Sequence, residues 1–201
     1  MTTPLTLRRQ MVDSQLRARG IANPRVLDAM LRVPRHEFVP EPYRAESYDD
    51  HPLPIGDNQT ISQPYVVAVM LEALDVTLND AVLEIGTGSG YVTALLAELA
   101  AQVFSVERHL ALAGNARQVL AALGYTNVRV FSGDGTLGLS QFIMSHGVVG
   151  MPRQKPLELD DGLFQFPHLG RRIRSLPARD LVVRLELQIT VPCRGRIIQG
   201  S

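Results

Sequence analysis

An apolar run that ends in an acid and then breaks into alternating glycines, Val82 to Gly90, limits the folds open to this chain. Ala81 to Ile85 is predicted to be a buried strand, and Tyr91 to Leu99 a helix. The glycines between them, the glycine loop (Gly86–Gly90), tolerate positive φ and let backbone approach a ligand closely. Because the loop joins a strand to a helix, it lies where open α/β sheets bind nucleotides. An α/β fold with a ligand site at this loop is therefore predicted.

The spacing of the glycines indicates which ligand the loop takes. A dinucleotide fingerprint needs G-x-G-x-x-G, but here the third glycine comes one residue early and Tyr91 stands in its place, which disfavours pyrophosphate. An acid two residues before the first glycine resembles the cofactor loop of S-adenosylmethionine-dependent methyltransferases. A glycine-rich turn with no ligand is the alternative. In the methyltransferases the backbone holds the amino-acid end of the cofactor and the acid helps to hold the loop, which implicates Glu84, Gly86, Thr87, Gly88, Ser89 and Gly90.

Length and composition favour one ordinary domain without a metal. The 201 residues can bury a sizeable core. Lysine plus arginine and aspartate plus glutamate number 20 each, so no global basic field indicates a nucleic-acid partner. A single cysteine excludes an internal disulfide and a thiolate cluster, and the histidines lack metal-ligand spacing. With neither a secretion signal nor a membrane-spanning run, we expect a cytoplasmic monomer without a membrane partner.

The N-terminal region is predicted to be helical. Apolar residues at helical spacing predict an amphipathic helix that stops at Gly20, with its apolar face in the core. Asn23 is the expected N-cap of a second helix, which ends before Pro34. The proline-rich segment that follows excludes regular helix, and Arg35 there is predicted to be a solvated loop residue, with substrate contact as the alternative.

Ser62 lies two residues before Pro64, at the start of another predicted helix. Serine is common at helix starts, so we predict that Ser62 caps this helix. A catalytic role is the alternative, and the two roles can coexist.

A more specific resemblance covers about two thirds of the chain. Pro54-Ile55-Gly56 followed by Gln59-Thr60-Ile61-Ser62-Gln63-Pro64, upstream of the glycine loop, is similar to the protein-L-isoaspartate O-methyltransferase family. The Thr-Ile-Ser segment distinguishes that family from other users of the same cofactor fold. Val33-Pro34-Arg35 and Phe38-Val39-Pro40 match it as well. The resemblance runs almost unbroken from about Met11 to Gly135.

This resemblance implies a fold, a reaction and roles for three residues. The fold is a Rossmann-like S-adenosylmethionine-dependent methyltransferase fold, a mostly parallel doubly wound sheet with an N-terminal helical subdomain. The reaction is methyl transfer to the free carboxylate of isoaspartyl residues in aged peptides and proteins, with S-adenosylhomocysteine as the product. Ser62 would orient the carboxylate, and Thr60 and Ile61 would border the cofactor. A methyltransferase with another acceptor and a catalytically impaired cofactor-binding homologue are the alternatives.

Two further segments complete the expected cofactor site. Gln102 to Glu107 is predicted to be a second strand ending in an acid, and the Glu107 carboxylate can accept both hydroxyls of a ribose. A solvated strand end is its alternative. The turn after a third predicted strand resembles the family's turn that meets adenine. The resemblance implies that Asp134 accepts from the exocyclic amine and that Gly135 gives the ring room.

The C-terminal part is atypical. From about residue 142 the chain departs from the family pattern, so residues 81–201 are expected to form a Rossmann-like core with a divergent tail. Residues 1–80, the helical and substrate-loop region, are expected to join it in one compact domain. In the tail, alternation of apolar residues from Leu181 to Val191 predicts a half-buried strand, and a terminal hairpin is considered as a cover for the sheet edge.

Overall fold

The computed structural model describes residues 3–135 and a strand at 184–186. Helices alternate with strands in chain order along its second half, as an α/β fold requires. The elements are α1 (Pro4–Gln10), which continues as a π-helix (Met11–Leu16) and a 3-10 turn (Arg17–Arg19), α2 (Pro24–Arg32), 3-10 turns at Arg35–Phe38 and Glu41–Glu46, β1 (Leu53–Gly56), β2 (Gln59–Ile61), α3 (Pro64–Leu74), β3 (Ala81–Ile85), α4 (Tyr91–Leu99), β4 (Gln102–Glu107), α5 (Leu110–Ala122), β5 (Val128–Ser132) and β6 (Arg184–Glu186).

Four strands form one parallel sheet in the order β5-β4-β3-β6. Ile85 lies opposite Val106, and Glu107 lies opposite Ser132. Because parallel strands end at a common edge, the glycine loop, Glu107 and the turn after β5 lie at the same edge of the sheet. The predicted parallel α/β fold is confirmed. β1 and β2 form a separate antiparallel hairpin.

β6 pairs with β3 on the side away from β4, with Arg184 opposite Leu83. The three residues of β6 lie within the stretch from Leu181 to Val191 that is predicted to be a strand. For these three residues the predicted strand is confirmed. The remainder of that stretch and the terminal hairpin fall outside the described residues.

One hydrophobic core joins the N-terminal helices to the sheet. Met11, Val12 and Leu16 are at most 1% exposed and belong to the same cluster of buried side chains as Val82 and Val103 of the sheet. The prediction that the first amphipathic face is core is therefore confirmed. Within residues 3–135 and 184–186, no helix has the length and apolar character needed to cross a lipid bilayer.

The ends of the first two helical segments follow local signals. Gly20 closes the first with φ +94°. The Oδ1 atom of Asn23 accepts from the backbone N of Arg25 at 3.0 Å and of Val26 at 3.4 Å, which is an N-cap. α2 then ends at Arg32, before Pro34. These three predictions are confirmed, because each depends on residues that are neighbours in the chain.

The start of α3 is different, and the prediction that Ser62 caps it is wrong. The N-cap position is Gln63, whose side chain makes no cap. Instead, Oδ1 of Asp50 accepts from the backbone N of Tyr65 at 3.2 Å. Ser62 lies one residue too early to reach the free amides of the first turn. Its hydroxyl makes no hydrogen bond to any residue that the structure describes, so it is available to a ligand.

Candidate active site

The glycine loop leaves β3 through left-handed conformations. The φ angle is +93° at Gly86, +54° at Gly88 and +88° at Gly90, values that glycine adopts far more readily than other residues. A Cβ atom on Gly90 would lie 3.2 Å from Cβ of Ala116 in α5. The last glycine therefore also permits the close approach of α5 to the loop.

Glu84 connects the loop to α4 and β4 through buried hydroxyls. Its Oε2 atom accepts from Oγ1 of Thr93 and from Oγ of Ser105, both at 2.6 Å. The same Ser105 hydroxyl lies 2.6 Å from Oγ1 of Thr87 in the loop. All four side chains are buried. The acid thus holds the loop through Ser105, while its Oε1 atom is buried without a partner in the described segments.

Neither Thr93 nor Ser105 is among the residues predicted from the sequence. The available signal was a lone hydroxyl in an otherwise apolar segment, since Ser105 interrupts a buried strand and Thr93 an apolar helix. A buried polar side chain requires a hydrogen-bond partner, so such residues close to a buried acid indicate a bond to it.

Burial raises the pKa of Glu84 to about 7, from the usual 4.5, because desolvation disfavours the charged form more than the Ser105 and Thr93 hydrogen bonds favour it. In the folded protein the carboxyl therefore keeps its proton until about pH 7, whereas in the unfolded chain it loses the proton near pH 4.5. The free energy of unfolding then falls as the pH rises between these two values and levels off above them.

Replacing Glu84 with glutamine is expected to remove this pH dependence. The amide oxygen can still accept from both hydroxyls, but it cannot ionise. From about pH 5 to pH 8 the free energy of unfolding of the wild type should fall, while that of Glu84→Gln should not. The difference between the variant and the wild type should therefore rise by about 3 kcal/mol in favour of the variant. Urea unfolding at the two pH values measures this gain. The matched control is Glu46→Gln, which removes an exposed carboxylate, and a gain that is equal for both variants would contradict the assignment.

Glu107 ends β4 with its carboxylate directed at the loop. Its Oε2 atom accepts from the backbone N of Gly88, and Oε1 from that of His109, both at 2.9 Å. The residue is 5% exposed, so the alternative of a solvated strand end is wrong. A carboxylate has about four acceptor positions, which leaves about two for the hydroxyls of a ribose.

The β1-β2 hairpin covers the outer side of the loop. A Cβ atom on Gly88 would lie 3.4 Å from Cδ1 of Ile55 in β1. At the tip of the hairpin, Oδ2 of Asp57 lies 3.8 Å from Nδ1 of His109. The hairpin is therefore placed between the glycine loop and the start of α5.

The segment from Thr60 to Ser62 presents three side chains in different surroundings. Thr60 is exposed, Ile61 is 4% exposed and packs in the core, and Ser62 is half-buried. Of the two residues predicted to border the cofactor, only Thr60 has a side chain at the surface. The buried side chain of Ile61 anchors the segment from Thr60 to Ser62 to the core.

Arg35 is completely buried, so the prediction that it is a solvated loop residue is wrong. Its Nε atom donates to the carbonyl of Ser47 and Nη2 to the carbonyl of Ser62, each at 2.7 Å. Its guanidinium carbon lies 4.8 Å from the centre of the Tyr91 ring, directly after the glycine loop. Two carbonyls and a ring face replace water around the cation. Arg35 therefore links Ser62 to the end of the loop.

The turn after β5 lies beside Glu107, because Gly133 donates its backbone N–H to the Glu107 carbonyl at 2.9 Å. Asp134 is exposed. A Cβ atom on Gly135 would lie 2.5 Å from Cγ2 of Ile85. The protein's own β3 therefore demands glycine at this position, in addition to the room that the resemblance assigns to an adenine ring.

A cleft of about 240 Å³ opens beside the loop. Gly88, Ser89 and Ile55 line one part of it, and Leu112 and Asn115 of α5 line another. The loop backbone thus borders open space, while Glu107 does not line this cleft and is linked to it only through its bond to Gly88. In the described part of the chain, no group of three or more His, Cys, Asp or Glu side chains is placed to bind a metal ion.

The fold and its site combine a parallel sheet with a glycine loop after β3 and an acid at the end of β4. They are those of a Rossmann-like nucleotide-binding protein, the class to which S-adenosylmethionine-dependent methyltransferases belong. The family model described as protein-L-isoaspartate(D-aspartate) O-methyltransferase matches residues 7–144. The chain belongs to this family of carboxyl methyltransferases, as the resemblance predicts, and S-adenosylmethionine is the family's methyl donor.

Individual relatives carry the same family name. The protein-L-isoaspartate O-methyltransferase of Syntrophus aciditrophicus (strain SB) is 52% identical over 177 residues, which cover 84% of this chain and 81% of the relative. That of Methanospirillum hungatei JF-1 is 46% identical over 187 residues, covering 90% and 83%. A solved structure of a protein-L-isoaspartate O-methyltransferase is 30% identical with a TM-score of 0.60, covering 67% of this chain but only 44% of that one.

The comparisons also bear on the C-terminal part. The family model stops at residue 144, close to the expected departure at about residue 142. The alignments to the two relatives cover 84% and 90% of the chain, so they extend beyond that point.

Proposed function

We propose that this chain transfers a methyl group from S-adenosylmethionine to the free carboxylate of L-isoaspartyl residues in peptides and proteins, and so acts in protein repair. Family membership supports the reaction. The observation that carries the proposal is the hydroxyl of Ser62, which has no hydrogen-bond partner among the described residues. Arg35 bonds the carbonyl of the same residue and stacks on Tyr91, which directly follows the glycine loop. A half-buried hydroxyl held in this way is suited to orient an acceptor group.

The cofactor is assigned to the residues at the carboxyl edge of the sheet. The backbone of the glycine loop would hold its amino-acid end, with Glu84 supporting the loop. Glu107 would accept the ribose hydroxyls with its remaining lone pairs, and the exposed Asp134 would accept from the adenine amine. Thr60 would border the bound molecule. When bound, S-adenosylmethionine supplies a methyl group on a positively charged sulfur that departs as a neutral thioether.

The acceptor needs no general base. A carboxyl with a reference pKa of about 4 is ionised near neutrality and is already a nucleophile. The protein's task is to orient one carboxylate oxygen and to exclude water from it. The Ser62 hydroxyl would donate to the other oxygen. With the donor bound, the free oxygen would take the methyl group while sulfur would keep the bonding electron pair, so no proton would have to be removed.

Methyl transfer to an isoaspartyl peptide and to its aspartyl twin, with a labelled methyl donor, tests this proposal. Label in the isoaspartyl peptide alone is the expected result. Label in both peptides, or only in another acceptor, would favour a methyltransferase of different specificity. Label in neither, with S-adenosylhomocysteine still bound, would favour a catalytically impaired homologue.

We also propose that the protein acts as a cytoplasmic monomer on peptide substrates, without nucleic-acid or membrane partners. The equal numbers of cationic and anionic residues, 20 each, support the absence of a nucleic-acid partner.

A further inference from the structure

Arg35 places a buried positive charge behind the segment Thr60–Ser62, which we call the acceptor segment. A guanidinium stays charged in proteins, and this one is 0% exposed. Its hydrogen bonds go to two backbone carbonyls, and Nη1 has no hydrogen-bond partner among residues 3–135 and 184–186. Asp50 is close enough to act electrostatically, but its carboxylate forms an ion pair with Arg19. Among the described residues, this cation therefore has no carboxylate of its own. A buried cation in that situation is unfavourable by itself, and an approaching anion would relieve the imbalance.

The location of this charge suggests which anion it meets. Nη2 of Arg35 donates to the carbonyl of Ser62, so the cation lies on the backbone side of this residue, whose hydroxyl has no partner in the described segments. Charges that are shielded from water act over several ångströms with little screening. The acceptor in the proposed reaction is an anionic carboxylate at Ser62.

We propose that Arg35 is a positioning and specificity-determining residue for the acceptor. Its two donors and its stacking on Tyr91 hold Ser62 in place relative to the glycine loop, and its charge favours acceptors with a carboxylate over neutral ones. The inference rests on the proposed function, because it takes the acceptor to bind at Ser62. Arg35 acts through the Ser62 backbone and through space, not by touching the acceptor.

Two substitutions separate the charge of Arg35 from its geometry. Arg35→Lys keeps the charge, but an ammonium cannot hold both carbonyls in the geometry of a guanidinium fork. Its kcat on an isoaspartyl peptide should fall by at least about tenfold, with peptide affinity within about threefold of the wild type. Arg35→Gln removes the charge, so peptide affinity should fall by at least about tenfold as well.

Peptide affinity is measured by fluorescence anisotropy in the complex with S-adenosylhomocysteine, which needs no turnover. Binding of S-adenosylhomocysteine itself should stay within about threefold in both variants, which shows that they are folded. Arg25→Lys is the matched control. Arg25 also donates to two carbonyls, those of Val76 at 2.5 Å and Leu99 at 2.6 Å, but away from Ser62. Arg25→Lys should leave kcat and peptide affinity unchanged.

A folded Arg35→Gln with wild-type kcat and peptide affinity would overturn the inference. If the Arg35 variants do not fold, the inference is tested on the wild type. Its complex with S-adenosylhomocysteine should bind the isoaspartyl peptide at least about tenfold more tightly than the peptide with the matching side-chain amide. Equal affinities would overturn the inference. A wild type that prefers the carboxylate but does not methylate it, together with an Arg35→Gln variant that loses this preference, would support the role of Arg35 and overturn the proposed function alone.

Discussion

Gly88→Val is expected to abolish cofactor binding, weakening the Kd for S-adenosylhomocysteine by at least about 100-fold. The φ angle of +54° at Gly88 is strongly disfavoured for a β-branched residue. The new Cβ would lie 3.4 Å from Cδ1 of Ile55, and because both residues line the cleft beside the loop, the valine methyl groups would reduce the space there. A shift of the loop to relieve this contact would break the bond from Gly88 to Glu107. Isothermal titration calorimetry with S-adenosylhomocysteine measures the loss.

The control for Gly88→Val must carry the same backbone strain at a distant position. Gly20 has φ +94°, and a Cβ atom there would meet nothing within 4 Å. Gly20→Val should lower the melting temperature and still bind S-adenosylhomocysteine as the wild type does. A normal binding isotherm for Gly88→Val would contradict the assignment of the glycine loop to the cofactor.

Ser62→Ala is expected to slow methyl transfer by about 10-fold to 100-fold, since a hydrogen bond to a charged group contributes about 1.5 to 3 kcal/mol. The hydroxyl has no hydrogen-bond partner in the described part of the chain, so its removal leaves no orphaned group and little change in stability. Affinity for S-adenosylhomocysteine should remain within a few fold. Steady-state kinetics on an isoaspartyl peptide and calorimetry measure the two quantities.

Ser14→Ala controls for the loss of a serine hydroxyl elsewhere. The Ser14 hydroxyl donates to the Gln10 carbonyl at 2.7 Å on the exposed side of the first helical segment. Its kinetics should match those of the wild type. Unchanged turnover in Ser62→Ala would remove this side chain from the reaction.

The geometry of the proposed cofactor site was more predictable from the sequence than that of the proposed acceptor site. The glycine loop and Glu107 both lie at strand ends, and because the strands are parallel their carboxyl ends share an edge. A strand pattern therefore indicates the neighbours of these residues in space. Ser62 follows a short hairpin, whose position on the loop depends on the contact of Ile55 with Gly88. No periodic pattern indicates such a contact.

Local and periodic patterns in the sequence are sufficient to predict the order of the elements, the positive-φ glycines and the cap at Asn23, because each depends on neighbouring residues or on a repeat. The partners of polar side chains, in contrast, depend on how the whole chain packs. Asp50 caps α3 from 15 positions away, Glu84 bonds Ser105 across 21, and Arg35 holds Ser62 across 27. The packing of the whole chain brings such residues together. Arg35 looks like a solvated loop residue in the sequence, but in the structure it is buried and links Ser62 to the end of the glycine loop.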